Sequence, residues 1–386
     1  MSRTATAANA QSRSEAEADG PLLEVEDLRV QFNTDAGVVR AVNGVSFTVA
    51  AGETLALVGE SGSGKSVTGM SLLGLLPKPA AETSGIVRWK GKDLVGASES
   101  RLRKVRGGEI SMIFQDAMTS LNPVMTVGRQ ITEMIGLHTS LKGRAARARA
   151  VEMLDAVGIP QASRRVGSYP HEFSGGMRQR AMIAMAIACD PQLIIADEPT
   201  TALDVTVQAQ VLEVLAEIQE RTGAGMILIT HDLGVVAGVA DRVMVMYAGR
   251  QVETAVTDEV FYDTRHPYTL GLMASLPRVD IDGLMTAADG GHRLKPIEGQ
   301  PPSLLSLPSG CAFHPRCEMA GLPEPCATEV PELLQIRSGH LSACHFADRL
   351  GERAREVGSD YVEIVEAPPT PVAASTAAPA GQEAHQ

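Results

Sequence analysis

Apolar and polar positions alternate in two stretches near the start of the chain, "LLEVEDLRVQF" and "VVRAVNGVSFTV". Alternation with a period of two is typical of a β-strand with one buried face. Four further segments, "TLALVG", "EISMIF", "QLIIADE" and "GMILITH", are short and mainly apolar, which indicates more deeply buried strands. We therefore expect a sheet at the centre of the fold.

Segments with helical periodicity separate these strands. In "VTVQAQVLEVLAEIQERTG" the apolar side chains recur at helical spacing. They are Val207, Val211, Val214, Leu215 and Ile218. Strands separated by helices predict an α/β fold with a mainly parallel sheet covered on both faces. No internal repeat is visible, so one such unit is expected.

The regular pattern fades near residue 265, where the chain becomes rich in proline and glycine ("EGQPPSLLSLPSGC"). We predict an α/β domain over residues 21–265 and a small irregular extension over residues 266–350. Residues 1–20 and 351–386 contain much Ala, Ser, Glu or Pro, and we predict that they are largely disordered tails.

Composition narrows the class of protein. The 386 residues carry a formal net charge of −12, which argues against a broad attraction to nucleic acid. No apolar run approaches the roughly 18 to 20 residues needed to span a bilayer, and the N-terminus lacks the apolar core of a signal peptide. We therefore expect a protein that stays in the cytoplasm.

A glycine-rich turn, "GESGSGKS", joins the strand "TLALVG" to the predicted helix "SVTGMSLLGLL". It fits the phosphate-loop pattern G-x-x-x-x-G-K-[ST] in the required context. Glycines let backbone N–H groups turn toward phosphates, and the helix N-terminus adds its positive dipole end. Lys65 would reach the β- and γ-phosphates, and Ser66 would ligate Mg²⁺. The predicted phosphate-binding residues are Gly59, Glu60, Ser61, Gly62, Ser63, Gly64, Lys65 and Ser66.

An acidic pair follows the apolar strand in "LIIADEP". Asp197 is placed to hold Mg²⁺ through water, and Glu198 to polarise the attacking water as a general base. The segment "FSGGMRQR" predicts a second anion site, because Ser174 can cap a helix that begins with the bare backbone of Gly175 and Gly176. One chain needs only one binding site for the γ-phosphate, so the second anion site is expected to complete the phosphate site of a neighbouring copy. Two nucleotides would then lie between two subunits.

"FSGGMRQR" resembles the signature motif of ATP-binding cassette (ABC) ATPases, with Met177 where Gln is more usual. The resemblance implies a Q-loop glutamine at Gln115 that senses Mg²⁺ and γ-phosphate, and a switch histidine at His231 that contacts the γ-phosphate. It also implies a D-loop at Asp204 and an aromatic at Phe32 for adenine stacking. The presence of Glu198 and His231 predicts a catalytically competent subunit.

The segments "HPYTLGLMASLP" and "IEGQPPSLLSLPSGCAFHPRC" resemble the C-terminal extension of ATPase subunits from oligopeptide, dipeptide and nickel importers, of the "D" type. With the ABC domain, the resemblance covers about residues 22–348. It implies a peripheral motor on the cytoplasmic face of the membrane. The partners would be a second related ATPase, two permeases and an extracytoplasmic peptide-binding protein.

Two alternatives remain open at this stage. The solute could be a nickel complex or another small molecule, because separate subunits select it. The chain could also be a soluble nucleic-acid ATPase. Such proteins usually show two ABC domains, a long coiled coil or a basic face, and the sequence shows none of these. The Met-rich segment "EISMIFQDAMTSLNPVMTVGRQI" would offer a surface to a membrane subunit, although each Met fits a core position equally well.

Five cysteines raise a question of metal chemistry, since thiols are normally reduced in the cytoplasm. Cys189 lies in an apolar helical segment and is predicted to be a small buried hydrophobe. The other four are separated by 5, 8 and 17 residues, unlike paired C-x-x-C zinc knuckles. The resemblance implies that they ligate a [4Fe-4S] cluster. Zinc, with His314 or His345 replacing a thiolate, and four free thiols or disulfides are the alternatives. The predicted ligands are Cys311, Cys317, Cys326 and Cys344.

Overall fold

The computed structural model describes residues 20–116, 120–200, 205–275 and 297–350. Asp204 and most of the two predicted tails lie outside the described residues. The strands are β1 (Leu23–Thr34), β2 (Gly37–Val49), β3 (Thr54–Val58), β4 (Ala81–Trp89), β5 (Lys92–Asp93), β6 (Ile110–Ile113), β7 (Leu193–Asp197), β8 (Gly225–Thr230), β9 (Arg242–Tyr247), β10 (Arg250–Val256), β11 (Leu334–Arg337) and β12 (His340–Ser342).

Helices follow or separate most of these strands. Two short 3-10 helices lie at Pro170–Glu172 and His314–Arg316. The α-helices are α1 (Lys65–Leu72), α2 (Glu99–Val105), α3 (Val127–His138), α4 (Gly143–Ala156), α5 (Ala162–Arg165), α6 (Gly175–Ile187), α7 (Val205–Thr222), α8 (Leu233–Val239), α9 (Thr257–Tyr262) and α10 (Pro267–Ala274). None of the helices in the described ranges combines the length and apolar character that crossing a bilayer requires.

The main sheet has the order β11-β12-β10-β9-β3-β8-β7-β6 among the described residues. Its five strands from β9 to β6 are parallel, which confirms the predicted α/β class. All five residues of β3 are buried, because the sheet is covered on both faces. The two alternating strands, β1 and β2, instead pair antiparallel in a second sheet of order β2-β1-β4-β5.

Residues of β7 alternate between two apolar cores. On β7, Ile194 faces helices α3, α4, α6 and α7. Its neighbour Ile195 joins the core between the main sheet, α1 and the second sheet. In α7 the predicted helical period is confirmed, because Val211, Leu215 and Ile218 are buried against the sheet.

The C-terminal extension adds two strands to the main sheet. β12 pairs antiparallel with β10, with Glu253 opposite Ser342. Behind this junction, His340 Nε2 lies 2.8 Å from Glu253 Oε1, and both side chains are fully buried. Glu253 also accepts a 2.8 Å hydrogen bond from Thr264. The His340 contact therefore joins the extension to the α/β domain, and Thr264 helps to fix the Glu253 carboxylate.

Candidate active site

The carboxyl ends of four parallel strands meet at one edge of the main sheet. The strands β3, β8, β7 and β6 are neighbours in that order, and the register places Val58 beside Thr230 and Ile229 beside Asp197. The segments that follow these strands therefore lie side by side. They carry the phosphate loop, His231, Glu198 and Gln115, and Asp197 is the last residue of β7.

At two positions the phosphate loop passes so close to the backbone of other segments that only glycine fits. Gly59 has φ of 151°, and an added Cβ would lie 2.2 Å from the Met246 carbonyl oxygen. Gly64, directly before α1, has φ of 103°, and an added Cβ would lie 2.4 Å from the Ala41 carbonyl oxygen. Only glycine fits both positions without a shift of the backbone.

Lys65 is buried at the centre of this loop. Its Nζ donates hydrogen bonds to the carbonyl oxygens of Gly59, at 2.7 Å, and Glu60, at 2.9 Å. Burial lowers the pKa of Lys65, while the carboxylates of Glu198, Asp197 and Glu60 raise it. The loop therefore folds around an ammonium group that can exchange these carbonyls for phosphate oxygens.

Ser66 and Asp197 lie together beside the loop. The Ser66 hydroxyl donates a 2.9 Å hydrogen bond to Asp197 Oδ1. Burial is the main cause that raises the pKa of Asp197; the Ser66 hydrogen bond lowers it, Glu198 raises it and Lys65 lowers it. A hydroxyl and a carboxylate are oxygen ligands that Mg²⁺ accepts, so these two side chains fit a magnesium ion.

Glu198 is held between two polar side chains at the end of β7. Gln115 Nε2 donates a 2.7 Å hydrogen bond to Glu198 Oε2, and His231 Nδ1 lies 3.3 Å from Oε1. The backbone of Glu198 has φ of 46°, an uncommon value for a non-glycine residue, and its N–H donates to the Ile229 carbonyl. The structure thus brings three predicted catalytic residues together.

Two features of the loop suit a phosphate ligand. The hydroxyl of Ser63 is buried and has no hydrogen-bond partner among the described residues. An added Cβ at Gly62 would meet no atom within 4 Å, so the backbone there faces open space. An unsatisfied buried donor next to an open, glycine-rich backbone matches what a polyphosphate needs. The residues present therefore fit ATP with magnesium.

Other predicted site residues lie on separate elements. Ser174 caps α6 as expected, accepting a 3.3 Å hydrogen bond from the Met177 backbone N–H. Ser174 and Gly175 are exposed and Gly176 is half-buried. Phe32 lies near the end of β1, half-buried against the core between the two sheets. Asp204 falls outside the described residues.

The four C-terminal cysteines lie near one another. Burial is the main cause that raises the pKa of Cys317 to about 11 and that of Cys344 to about 12. Charges on neighbouring cysteines contribute, with Cys311 and Cys326 acting on both. Within the described ranges, however, no three Cys, His, Asp or Glu side chains are arranged to hold a metal ion. Cys189, predicted to be a small buried hydrophobe, is half-buried and packs against the helical core.

Two contacts to the phosphate loop could not be predicted from the sequence. The Tyr268 hydroxyl accepts a 2.7 Å hydrogen bond from the Glu60 backbone N–H, 208 positions earlier. Arg316 binds the Glu60 carboxylate, 256 positions earlier, at 2.7 Å. The sequence shows a Tyr in "HPYTLG" and an Arg between two cysteines, but neither local pattern indicates that the side chain contacts Glu60.

The fold and this site define a P-loop nucleotide hydrolase of the ABC type. Residues 42–201 match the family "ABC transporter", and residues 252–326 match "Oligopeptide/dipeptide transporter, C-terminal region". The chain is 52% identical over 324 residues to the oligopeptide transport ATP-binding protein OppD of Haemophilus influenzae, covering 84% of this chain and 97% of the relative. It is 54% identical to the dipeptide transport ATP-binding protein DppD of Bacillus subtilis, covering 77% and 86%.

Solved structures agree with these relatives. The dimeric bacterial ABC transporter cassette MJ0796 superposes with a TM-score of 0.55 at 26% identity, covering 61% of this chain and 98% of that one. The ABC transporter component cbiO1 of Clostridium perfringens superposes with a TM-score of 0.52 at 28% identity, covering 62% and 90%. The chain belongs to the family of oligopeptide and dipeptide transport ATP-binding proteins, and it is an ATPase.

Proposed function

We propose that this chain is the motor subunit of a peptide importer, in which ATP hydrolysis drives uptake through separate membrane permeases. The observation that carries the proposal is the Glu198 carboxylate, held by Gln115 and His231 beside the phosphate loop. The peptide substrate rests on the relatives, whose names specify oligopeptide and dipeptide transport.

Each residue has a defined part in hydrolysis. Lys65 binds the β- and γ-phosphates. Ser66 and Asp197 would hold Mg²⁺, which would supply charge screening for the phosphates. Glu198 takes a proton from the attacking water as its oxygen bonds to the γ-phosphorus and the bond to the ADP oxygen breaks. Gln115 and His231 keep the carboxylate oriented toward that water.

A second ATPase subunit completes the site in this proposal. The exposed N-terminus of α6, with Ser174 and Gly175, offers backbone N–H groups to an anion beyond its own chain. The related cassette MJ0796 is described as dimeric. We infer that the signature segment of each subunit closes over the nucleotide of the other.

The surface next to Gln115 is the proposed contact with the permeases. Val124 is 79% exposed and Phe114 is 37% exposed. Nearby, α3 and α4 border a groove of about 600 Å³ lined by Arg129, Glu133 and others. A membrane subunit that binds here would sense the nucleotide through Gln115. This contact would hold the chain at the cytoplasmic face of the membrane, and an extracytoplasmic protein would deliver the peptide.

We infer that the four C-terminal cysteines bind one metal centre, with [4Fe-4S] as the predicted occupant and zinc as the alternative. The support is the proximity of the thiols, whose charges act on one another. The described arrangement is not a finished metal site, so binding would require the thiols to deprotonate and move. Metal analysis and visible absorbance of anaerobically purified protein decide it. A colourless sample with one zinc per chain would exclude the cluster, and a metal-free sample would exclude both.

Uptake by a deletion strain tests the proposed function. Loss of the gene should abolish uptake of labelled di- and oligopeptides, and the natural gene should restore it. The Glu198→Gln gene, expressed at the same level, should not. Normal peptide uptake in the deletion strain, or loss of nickel uptake alone, would contradict the peptide assignment.

A further inference from the structure

Two side chains from the C-terminal region contact one residue of the phosphate loop, Glu60. The Tyr268 hydroxyl, in α10, accepts a 2.7 Å hydrogen bond from the Glu60 backbone N–H. The Arg316 guanidinium, directly before Cys317, binds the two carboxylate oxygens of Glu60 at 2.7 and 2.9 Å. The phosphate loop is therefore held from outside the α/β domain.

Arg316 is fixed in place by its surroundings. Only 4% of its side chain is exposed. Its Nε donates a 3.0 Å hydrogen bond to the Glu298 carbonyl, and its Nη1 lies 3.3 Å from the Tyr247 hydroxyl. The ring of Phe313, three residues earlier, packs against Tyr247 with centroids 5.2 Å apart. A guanidinium held this way loses little freedom when it pairs with a carboxylate.

Glu60 places a negative charge in a loop whose ligand is a polyanion. Burial lowers the pKa of Lys65, and the Glu60 carboxylate is close enough for its charge to oppose that shift. Without a partner, this carboxylate would repel the phosphates of ATP and compete for Lys65. A bidentate guanidinium is the strongest neutralising partner that a protein offers a carboxylate.

We infer that Arg316 is a positioning residue of the nucleotide site: it neutralises Glu60 and so allows the phosphate loop to bind ATP. ATP affinity then depends on the loop of the extension that carries Cys311 and Cys317. A change that moves this loop would reach the phosphate loop through the ion pair of Arg316 with Glu60. This inference extends the ATPase assignment and requires no particular transported solute.

Calorimetric titration of the full-length protein with ATP tests the inference. Arg316→Gln should raise the Kd about tenfold, the scale of one lost charged hydrogen bond. Arg316→Lys keeps the charge and should raise it by no more than about threefold. Adding Glu60→Gln to Arg316→Gln removes the repelling carboxylate and should bring the Kd back to within about twofold of the natural value.

Arg337→Gln is the matched control. Arg337 is in the same extension and pairs with Asp263 at 2.6 Å, away from the phosphate loop. The Kd of the Arg337→Gln variant for ATP should therefore equal that of the natural chain. An Arg316→Gln protein that binds like this control, or a double variant no better than the single one, would overturn the inference.

Should Arg316→Gln fail to fold, Glu60→Gln alone decides the question. It removes the carboxylate and leaves Arg316 beside the phosphates, so it should tighten ATP binding by about threefold. Weaker binding by this variant would overturn the inference. A natural chain that does not bind ATP would instead overturn the ATPase assignment, and the two failures are therefore distinguishable.

Discussion

Gln115 Nε2 donates a 2.7 Å hydrogen bond to Glu198 Oε2, from a loop that follows the edge strand β6. His231 approaches the other carboxylate oxygen from the end of β8. The predicted general base is therefore oriented from both neighbouring strands. Gln115 also borders the surface proposed to meet a permease, so a shift of that surface would change the orientation of Glu198.

Gln115→Ala should lower the hydrolysis rate more than it lowers ATP affinity. Loss of the amide removes one of the groups that orient the Glu198 carboxylate, and imprecise positioning of a base costs roughly ten- to a hundredfold in kcat. The Kd for ATP should change less than about threefold, because Lys65 and the loop backbone are untouched. Phosphate release and equilibrium binding measure the two effects. A large rise in Kd with normal kcat would show that Gln115 acts in binding instead.

On acidification, Mg²⁺ binding should weaken at a higher pH than it would if the ligand were a carboxylate with an ordinary pKa. Mg²⁺ needs ionised Asp197, whose pKa is raised mainly by burial. Affinity for Mg·ATP should therefore fall as the pH drops through this raised pKa, above the usual 3.8. Ser66→Ala removes a hydrogen bond that lowers the pKa, so the midpoint should move to higher pH. Ser66→Thr keeps the hydroxyl and is the control; equal midpoints for all three proteins would refute the account.

The same raised pKa affects stability of the nucleotide-free protein in a defined direction. The folded state binds the Asp197 proton more tightly than the unfolded state does. The ionised Asp197 carboxylate therefore lowers the free energy of unfolding at neutral pH. This cost disappears as the pH falls through the raised pKa of the folded state toward the pKa of the unfolded state. Asp197→Asn should stabilise the nucleotide-free protein at pH 7 in a urea titration. A lower unfolding free energy would contradict the assigned cause.

In the absence of nucleotide, Gly59→Ala should lower the free energy of unfolding much more than Gly62→Ala does. A Cβ at residue 59 would collide with the Met246 backbone at 2.2 Å, whereas one at residue 62 meets no atom within 4 Å. We expect Gly59→Ala to lower the unfolding free energy by about 3 kcal/mol or more, and Gly62→Ala by about 1 kcal/mol from its positive φ alone. Urea unfolding measures both; similar losses would contradict the described loop geometry.

His340→Ala should destabilise the protein by about 1 to 3 kcal/mol, because it removes a hydrogen-bond partner from the buried Glu253 carboxylate. Both side chains are 0% exposed. The contact of the half-exposed Arg337 with Asp263 supplies the comparison. Asp263 keeps Arg265 as a partner, so Arg337→Gln should cost at most about 1 kcal/mol. Equal effects in urea unfolding would show that the buried pair does not join the extension to the sheet.

Much of the catalytic edge was predictable because it is encoded locally. The strands β3, β7 and β8 are short apolar runs. Glu198 directly follows β7 and His231 directly follows β8, while β3 leads into the phosphate loop that carries Lys65. Parallel pairing then brings the strand ends together without further information. The helix cap at Ser174 is likewise confirmed, since capping depends on residues three positions apart.

The extension was less predictable because its contacts are distant in sequence and its strands are short. β11 and β12 have four and three residues, too few to show a period. Their place at the edge of the main sheet depends on His340 meeting Glu253, 87 positions earlier. The contact of Arg316 with Glu60 has the same origin, and no local pattern marks it.

The rate of phosphate release by Glu198→Gln tests the central claim most directly. If Glu198 is the general base, turnover should fall by about 10² to 10⁴, while the Kd for ATP stays close to that of the natural chain. ATP should then hold the variant in a closed dimer. Hydrolysis within a few fold of the natural rate would contradict the account.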